Sequence, residues 1–246
     1  MRKTLALISR ELIAYFSSPL AYVVLFAFLL YNGFWFWVIV SFLNRPETQA
    51  MHPLRLLFGG TIFFWLLMLF LLPVIMMRLL AEERRSGTLE VLLTSPVSET
   101  QVVIGKFLAA FVFYLFLWLP TVAYVAILAS YSNIDWRPVV AGYVGIALMG
   151  LLFSSVGLLT SALTRNQIVA AIFSFLLLAL LFGVPIVQNL ATDPMLKGAL
   201  TYVSLWDHME DFSRGLVDSR HFVYQLSFTA FFLFLAVKAL EANKGR

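Results

Sequence analysis

The sequence predicts an all-α polytopic membrane protein with six transmembrane helices, and three observations predict it. The chain of 246 residues is 61% hydrophobic and only 12% charged, where a soluble domain carries about a quarter charged residues. Six apolar runs lie at about 20–43, 56–77, 107–129, 139–163, 168–190 and 222–237, and none contains Asp, Glu, Lys, Arg or His. Each is near the ~20 residues a bilayer requires. The polar segments between them sort by charge: eleven Lys and Arg fall on one side of a six-span chain and six on the other. The positive-inside rule makes the richer side cytoplasmic, together with both termini and the segment 78–106. The chain has no cysteine, which excludes disulfides and thiolate metal sites. A net charge of +4 without a run of five basic residues argues against nucleic acid as a partner.

Residues 1–19 read as an amphipathic helix. Leu5, Ile8, Leu12, Tyr15 and Phe16 share one face, with Lys3, Arg10, Glu11 and Ser17 elsewhere around the wheel. That pattern suits a helix lying in the membrane interface beside anionic headgroups. A solvent-exposed leader leaves the apolar stripe unexplained, and Arg10 and Glu11 interrupt what would be the core of a cleaved signal peptide. Ser18-Pro19 ends the helix. Trp35 and Trp37 near the outer end of the first run form an interfacial aromatic belt. Pro73, Pro120 and Pro185 lie inside runs two, three and five, where they are placed to kink the helices. Such prolines suit moving transporters and ordinary membrane packing equally.

The interval 78–106 is the charge-dense one. It carries Glu82, Glu83, Arg84, Arg85, Glu90, Glu99 and Lys106 between two uncharged runs. Gly87 permits a sharp reversal. Thr88-Leu89-Glu90-Val91-Leu92-Leu93, followed by Thr94, then reads as a short helix with an apolar edge, stopped by Ser95-Pro96. Ser98 with Gln101 forms a capping box for the next helix, and Val97 staples onto Val102. A short helix between two turns at the mouth of a membrane bundle is a docking element for a soluble partner.

Run four pairs small residues four apart: Ala141/Gly145, Gly150/Ser154 and Gly157/Ser161. That spacing lets membrane helices approach closely, so run four is expected inside the bundle. The segment 191–221 is the one long outer interval. Asp193-Pro194 is a cap with a first-turn proline, after which Leu196, Leu200 and Val203 share a face. Leu205, Met209, Phe212 and Leu216 form a second stripe, with Asp207, His208, Glu210, Asp211 and Arg214 opposite. Gly215 ends that helix and Asp218 caps the last span. Two short amphipathic helices at, or dipping into, the outer leaflet are expected.

Three constellations bear on catalysis. His208, Glu210, Asp211, Asp218 and His221 are metal-ligating types, but caps and the polar face of an interfacial helix account for them without a metal. Intramembrane hydrolysis or ion-coupled transport needs charge at membrane depth, and the runs hold none. Nucleotide hydrolysis by this chain would need a glycine at Gln101 and Ser or Thr at Phe107, around Gly105-Lys106. The chain therefore is no enzyme by itself, and ATP, if used, is bound by another subunit.

The stretch Ala81-Glu82-Glu83-Arg84-Arg85-Ser86-Gly87-Thr88-Leu89-Glu90-Val91-Leu92-Leu93-Thr94-Ser95-Pro96-Val97, with Gly105-Lys106 after it, resembles the signature of type-2 ABC export permeases. Leu163-Thr164-Arg165-Asn166-Gln167-Ile168-Val169-Ala170 and the segment from Phe212 to Arg220 look like the gliding-motility-associated branch. The resemblance covers essentially the whole chain as one permease domain. It implies a bacterial inner-membrane exporter that is a dimer, of identical or related permeases, above two cytoplasmic ATPase subunits that hold ATP and Mg. It implies that residues 88–94 are the coupling helix, with Glu82 and Glu83 beside it. Residues 1–19 would be the connecting helix and 191–221 the outer re-entrant helices. The branch is also associated with a membrane-anchored subunit bearing an extracytoplasmic domain. The rival class is a membrane scaffold that passes ATPase motion to an outer partner and transports nothing; a polar, water-accessible route along the dimer interface would discriminate the two.

Overall fold

In hydrocarbon a backbone must satisfy its polar groups within its own segment, so uncharged apolar runs of this length become helices. The computed structural model describes residues 2–43, 53–88, 98–131 and 133–244, and among them every element is helical, with no strand. Six helices are long and apolar enough to cross a membrane. Helix α1 (Arg2–Ser17) precedes the first span, α2 (Pro19–Leu43). The second span, Leu54–Ser86, is assembled from α3 (Pro53–Leu57), α4 (Ile62–Met76) and α5 (Arg78–Ser86). The third comprises α6 (Glu99–Trp118), a 3-10 turn (Leu119–Thr121) and α7 (Val122–Tyr131); the fourth is α8 (Trp136–Leu163). The fifth is α9 (Gln167–Phe182) with α10 (Val184–Leu190). Then α11 (Pro194–Val203) and α12 (Leu205–Ser213) lead to the last span, α13 (Ser219–Lys244).

Each proline inside a run sits at a break. Pro73 precedes the interruption at Met77, Pro120 lies in the 3-10 turn, and Pro185 follows the break at Gly183. The polar residues 78–86, expected as the start of a loop, instead continue span two as helix α5. Leu79, Leu80 and Ala81 bury one face of it, Arg78 bonds Glu82 one turn on at 2.8 Å, and Gly87 at φ +75° stops it.

Helix α8 is the pillar. Its apolar window is 72% buried, against 17% for the first span, so α8 is central and α2 peripheral. The small residues make that possible, because each stands where a neighbouring side chain occupies the space of a Cβ. A Cβ on Gly145 would lie 2.8 Å from the Phe212 ring, one on Gly157 2.5 Å from Met76 Cβ, and one on Gly150 would overlap the edge of the Tyr114 ring. Ser154 is fully buried on the same helix.

The two outer helices differ from each other. No residue of α11 is buried, whereas Leu205, Met209 and Phe212 of α12 are completely enclosed against α8. Two expectations fail here. His208, assigned to the polar face, is 1% exposed. The reason lies in the spacing: 205, 208, 209 and 212 follow the i, i+3, i+4, i+7 rule and form one stripe. Leu216 lies beyond the end of α12, past Gly215 at φ +81°, and is exposed. Helix α1 shows which part of its stripe is buried. Leu7 is its buried anchor while Leu5 is exposed, and the inward face includes Glu11, because α1 packs along α6.

Candidate functional site

The charge-dense end of the bundle is built outward from the start of α6. Ser98 Oγ accepts from the Gln101 amide at 3.3 Å and Gln101 Oε1 accepts from the Ser98 amide at 3.2 Å, which fixes the first turn. Gly105 and Lys106 follow and face α1. A Cβ on Gly105 would lie 2.6 Å from Leu7 Cδ2, so the glycine is the seat of α1. Beside it the Lys106 ammonium, 2% exposed, donates to Glu83 Oε1 at 2.8 Å and pairs with Glu11 Oε1 at 3.2 Å. Arg10 closes the cluster, 3.0 Å from Glu11 and 3.9 Å from Glu83. A buried ammonium without partners costs several kcal/mol. Lys106 therefore binds α1, α5 and α6 into one joint.

Helix α5 is tied to α8 as well. Ser161 Oγ donates to the Met77 carbonyl at 3.1 Å and accepts from the Leu80 and Ala81 amides, each at 3.0 Å. The hydroxyl thus occupies the place where Ala81 would otherwise bond Met77 directly, and the α4–α5 interruption is a side chain inserted into the helix ladder. Arg84 donates to the Ala162 carbonyl at the end of α8, satisfying one of that helix's terminal acceptors.

Of the residues singled out in the sequence, Glu83 points inward to Lys106, whereas Glu82 turns outward to Arg78 and keeps 45% of its side chain exposed. Thr88 hydrogen-bonds the Ser86 hydroxyl at 2.9 Å. Leu89, Glu90, Val91, Leu92, Leu93 and Thr94 lie outside the described residues. Arg10, Glu11, Lys106 and Ser161 carry the joint, and sequence reading did not assign them to it. The available signal was Glu11, an acid on the α1 face shared by Leu7, Ile8 and Tyr15. Gly105-Lys106 cannot act as a phosphate loop, because the ammonium is committed to two carboxylates and Gly105 lies within a helix.

At the opposite end a second polar cluster lies between α12 and α13. The His208 and His221 rings approach to 4.1 Å between centroids. His208 Nε2 meets the Tyr202 carbonyl at 3.0 Å and His221 Nε2 meets Asp211 Oδ2 at 2.9 Å. Burial, aided by the neighbouring His221, pushes the His208 pKa down to about 4. Glu210 bridges Arg55 of α3 and Arg214, the latter at 2.5 Å. Asp218 caps α13 by accepting from the Arg220 amide at 2.8 Å, and the hydrogen bond from the Arg220 side chain holds its carboxyl down at about 2. No group of three or more His, Asp or Glu able to hold a metal occurs among the described residues.

What the charged end offers is mechanical: three helices clamped by one buried ammonium, keyed to the central pillar through Ser161 and Arg84. No curated protein matches the sequence as a relative. The family described as ABC-2 family transporter protein matches residues 47–206, which take in spans two to five, α11 and the start of α12. That match covers well over half of the 246 residues and includes both halves of the clamp contributed by α5 and α6; this multi-pass membrane protein belongs to the ABC-2 family of transporter proteins, as a permease component of an ABC transporter rather than its ATPase.

Proposed function

We propose that the chain is the permease subunit of an ATP-driven exporter of the bacterial inner membrane, in the gliding-motility-associated branch, with both termini cytoplasmic. Two permease copies stand above a separate pair of ATPase subunits, which bind ATP and Mg. Residues 88–94 form the helix that docks on the ATPase. The observation that carries this reading is the Lys106 clamp. The docking segment leaves α5 at Gly87 and rejoins the bundle at Ser98, the cap of α6. Helices α5 and α6 are the two elements that Lys106 ties to α1. A push on the segment is therefore delivered to three helices at once, and through Ser161 to the pillar α8. The bundle then switches as rigid elements between inward and outward openings, driven by the ATPase pair's differential affinity for the two states.

The test is hydrolysis by the reconstituted complex. Leu89→Asp and Glu90→Lys should abolish permease-stimulated ATP hydrolysis, while the permease still inserts and dimerises. Full stimulation in either variant removes residues 88–94 as the docking helix.

A further inference from the structure

We infer that the cavity beside the Lys106 joint binds the headgroup of a zwitterionic aminophospholipid, with the lipid's tail leaving along α2. The inference rests on the membrane placement of the bundle and not on ATP-driven export. The cavity measures about 250 Å³ and lies between α1, α2 and span two. Its two ends differ in chemistry. Arg78, Glu82 and Ser86 line one end, and Ala21, Val24 and Phe113 line the other. Ligand cavities in proteins usually span about 300–1,000 Å³, so this one holds a headgroup and its first methylenes rather than a whole amphiphile. The remainder of such a molecule needs an apolar exit. Helix α2 supplies it: this peripheral span is only 17% buried, and Leu20 and Val24 of the cavity wall are themselves half-buried.

Charge selects the headgroup. The wall carries Glu11, Glu82 and Glu83 against Arg78 and Lys106, with Arg10 pairing Glu11 from beside it, so among the described residues it holds no surplus of positive charge. An anionic headgroup brings an unmatched charge to a partly desolvated wall, which is costly. A zwitterion brings none. Among the described residues Arg78 engages Glu82 through its Nε, and the guanidinium fork has further N–H donors suited to a phosphate. Glu82, 45% exposed, is positioned to accept from a primary ammonium. Phosphate and ammonium, a few bonds apart in one headgroup, correspond to Arg78 and Glu82 one helical turn apart on α5.

The test uses the full chain purified in mild detergent and equilibrated with equal amounts of phosphatidylethanolamine and phosphatidylglycerol, with bound lipid read by native mass spectrometry. One phosphatidylethanolamine per chain is expected, in about tenfold excess over phosphatidylglycerol, the ratio one charge-assisted hydrogen bond sets. Ala21→Trp, which fills the apolar end, should remove the bound lipid, and Glu82→Gln should erase the preference while lipid still binds. Equal or greater retention of phosphatidylglycerol by the unaltered protein overturns the inference, as does an unselective ladder of lipids or no retained lipid at all. Undiminished phosphatidylethanolamine on Ala21→Trp overturns the location. The competition on the unaltered protein decides the headgroup class even if a variant fails to assemble.

Discussion

Lys106 illustrates how a single charge can be tolerated, and used, at the edge of an apolar bundle. Its ammonium is almost completely enclosed and serves two carboxylates from different helices. Removing it strands Glu11 and Glu83 face to face, with only the exposed Arg10 to offset them. Lys106→Met should therefore destabilise the detergent-solubilised protein by about 3 kcal/mol, the scale on which breaking a buried pair acts. Pairing it with Glu83→Gln should recover part of the loss, because the stranded charge is then gone. Thermal unfolding followed by tryptophan fluorescence reads both; equal stability of the single variant and the parent would show that the contact is incidental. His208 is the second residue whose environment makes a measurable demand. Its folded pKa, about 4, lies below the ordinary value near 6.5, so the folded chain holds fewer protons than the unfolded chain between those limits. The stability this contributes is complete above pH 6.5 and is lost as pH falls toward 4, with a ceiling of about 3 kcal/mol. The melting temperature should be flat from pH 8 to about 6.5 and then decline. His208→Gln, which keeps a donor for the Tyr202 carbonyl, should flatten the decline; an unchanged pH profile in that variant would assign the acid sensitivity to another group.

At the level of elements, the six spans were legible because each is a long uncharged run, and length in hydrocarbon fixes the helix. Their breaks were legible through Pro73, Pro120 and Pro185, since a missing amide and a fixed φ mark the backbone directly. The junction of α4 and α5 was legible only in part. Pro73 announces an irregularity, but Ser161, more than eighty residues away, is what fills it. No local pattern distinguishes a serine inserted into another helix's ladder from a small residue that merely permits packing, and the sequence offered Ser161 only as the latter. The same limit hid the clamp: Glu11, Glu83 and Lys106 are far apart in the chain and meet only once α1 folds back on α6. It also put His208 on the wrong face, because polarity was weighed above the i, i+3, i+4, i+7 spacing that sets which side of α12 is buried. Ser161→Ala tests the inserted hydroxyl. It leaves the Met77 carbonyl and the Leu80 and Ala81 amides without this partner, a loss of about 1–3 kcal/mol in a buried site. A melting temperature equal to that of the parent would mean that the α4–α5 junction closes its own ladder when the serine is removed.

For the whole molecule, the arrangement of ends follows from six antiparallel crossings. The clamp, the start of α1, Gly87 and the end of α13 share one end of the bundle; α11, α12 and the start of α8 share the other. Which end faces the cytoplasm is a matter of charge, eleven basic residues against six. The chain's lack of cysteine allows the orientation to be read with single-cysteine variants and no background. Ser86 is exposed at the clamp end; Asn133 and Val217 are exposed at the other. Phe212, fully enclosed beside Gly145, is an internal control for access. With a membrane-impermeant thiol reagent added to intact spheroplasts, Asn133→Cys and Val217→Cys should label, Phe212→Cys should resist, and Ser86→Cys should label only after the membrane is opened. The docking reading depends on this result more than on any single contact, because an ATPase can meet residues 88–94 only from the cytoplasm. Labelling of Ser86→Cys from outside, with Asn133→Cys silent, would invert the molecule and place the clamp where no ATPase can reach it.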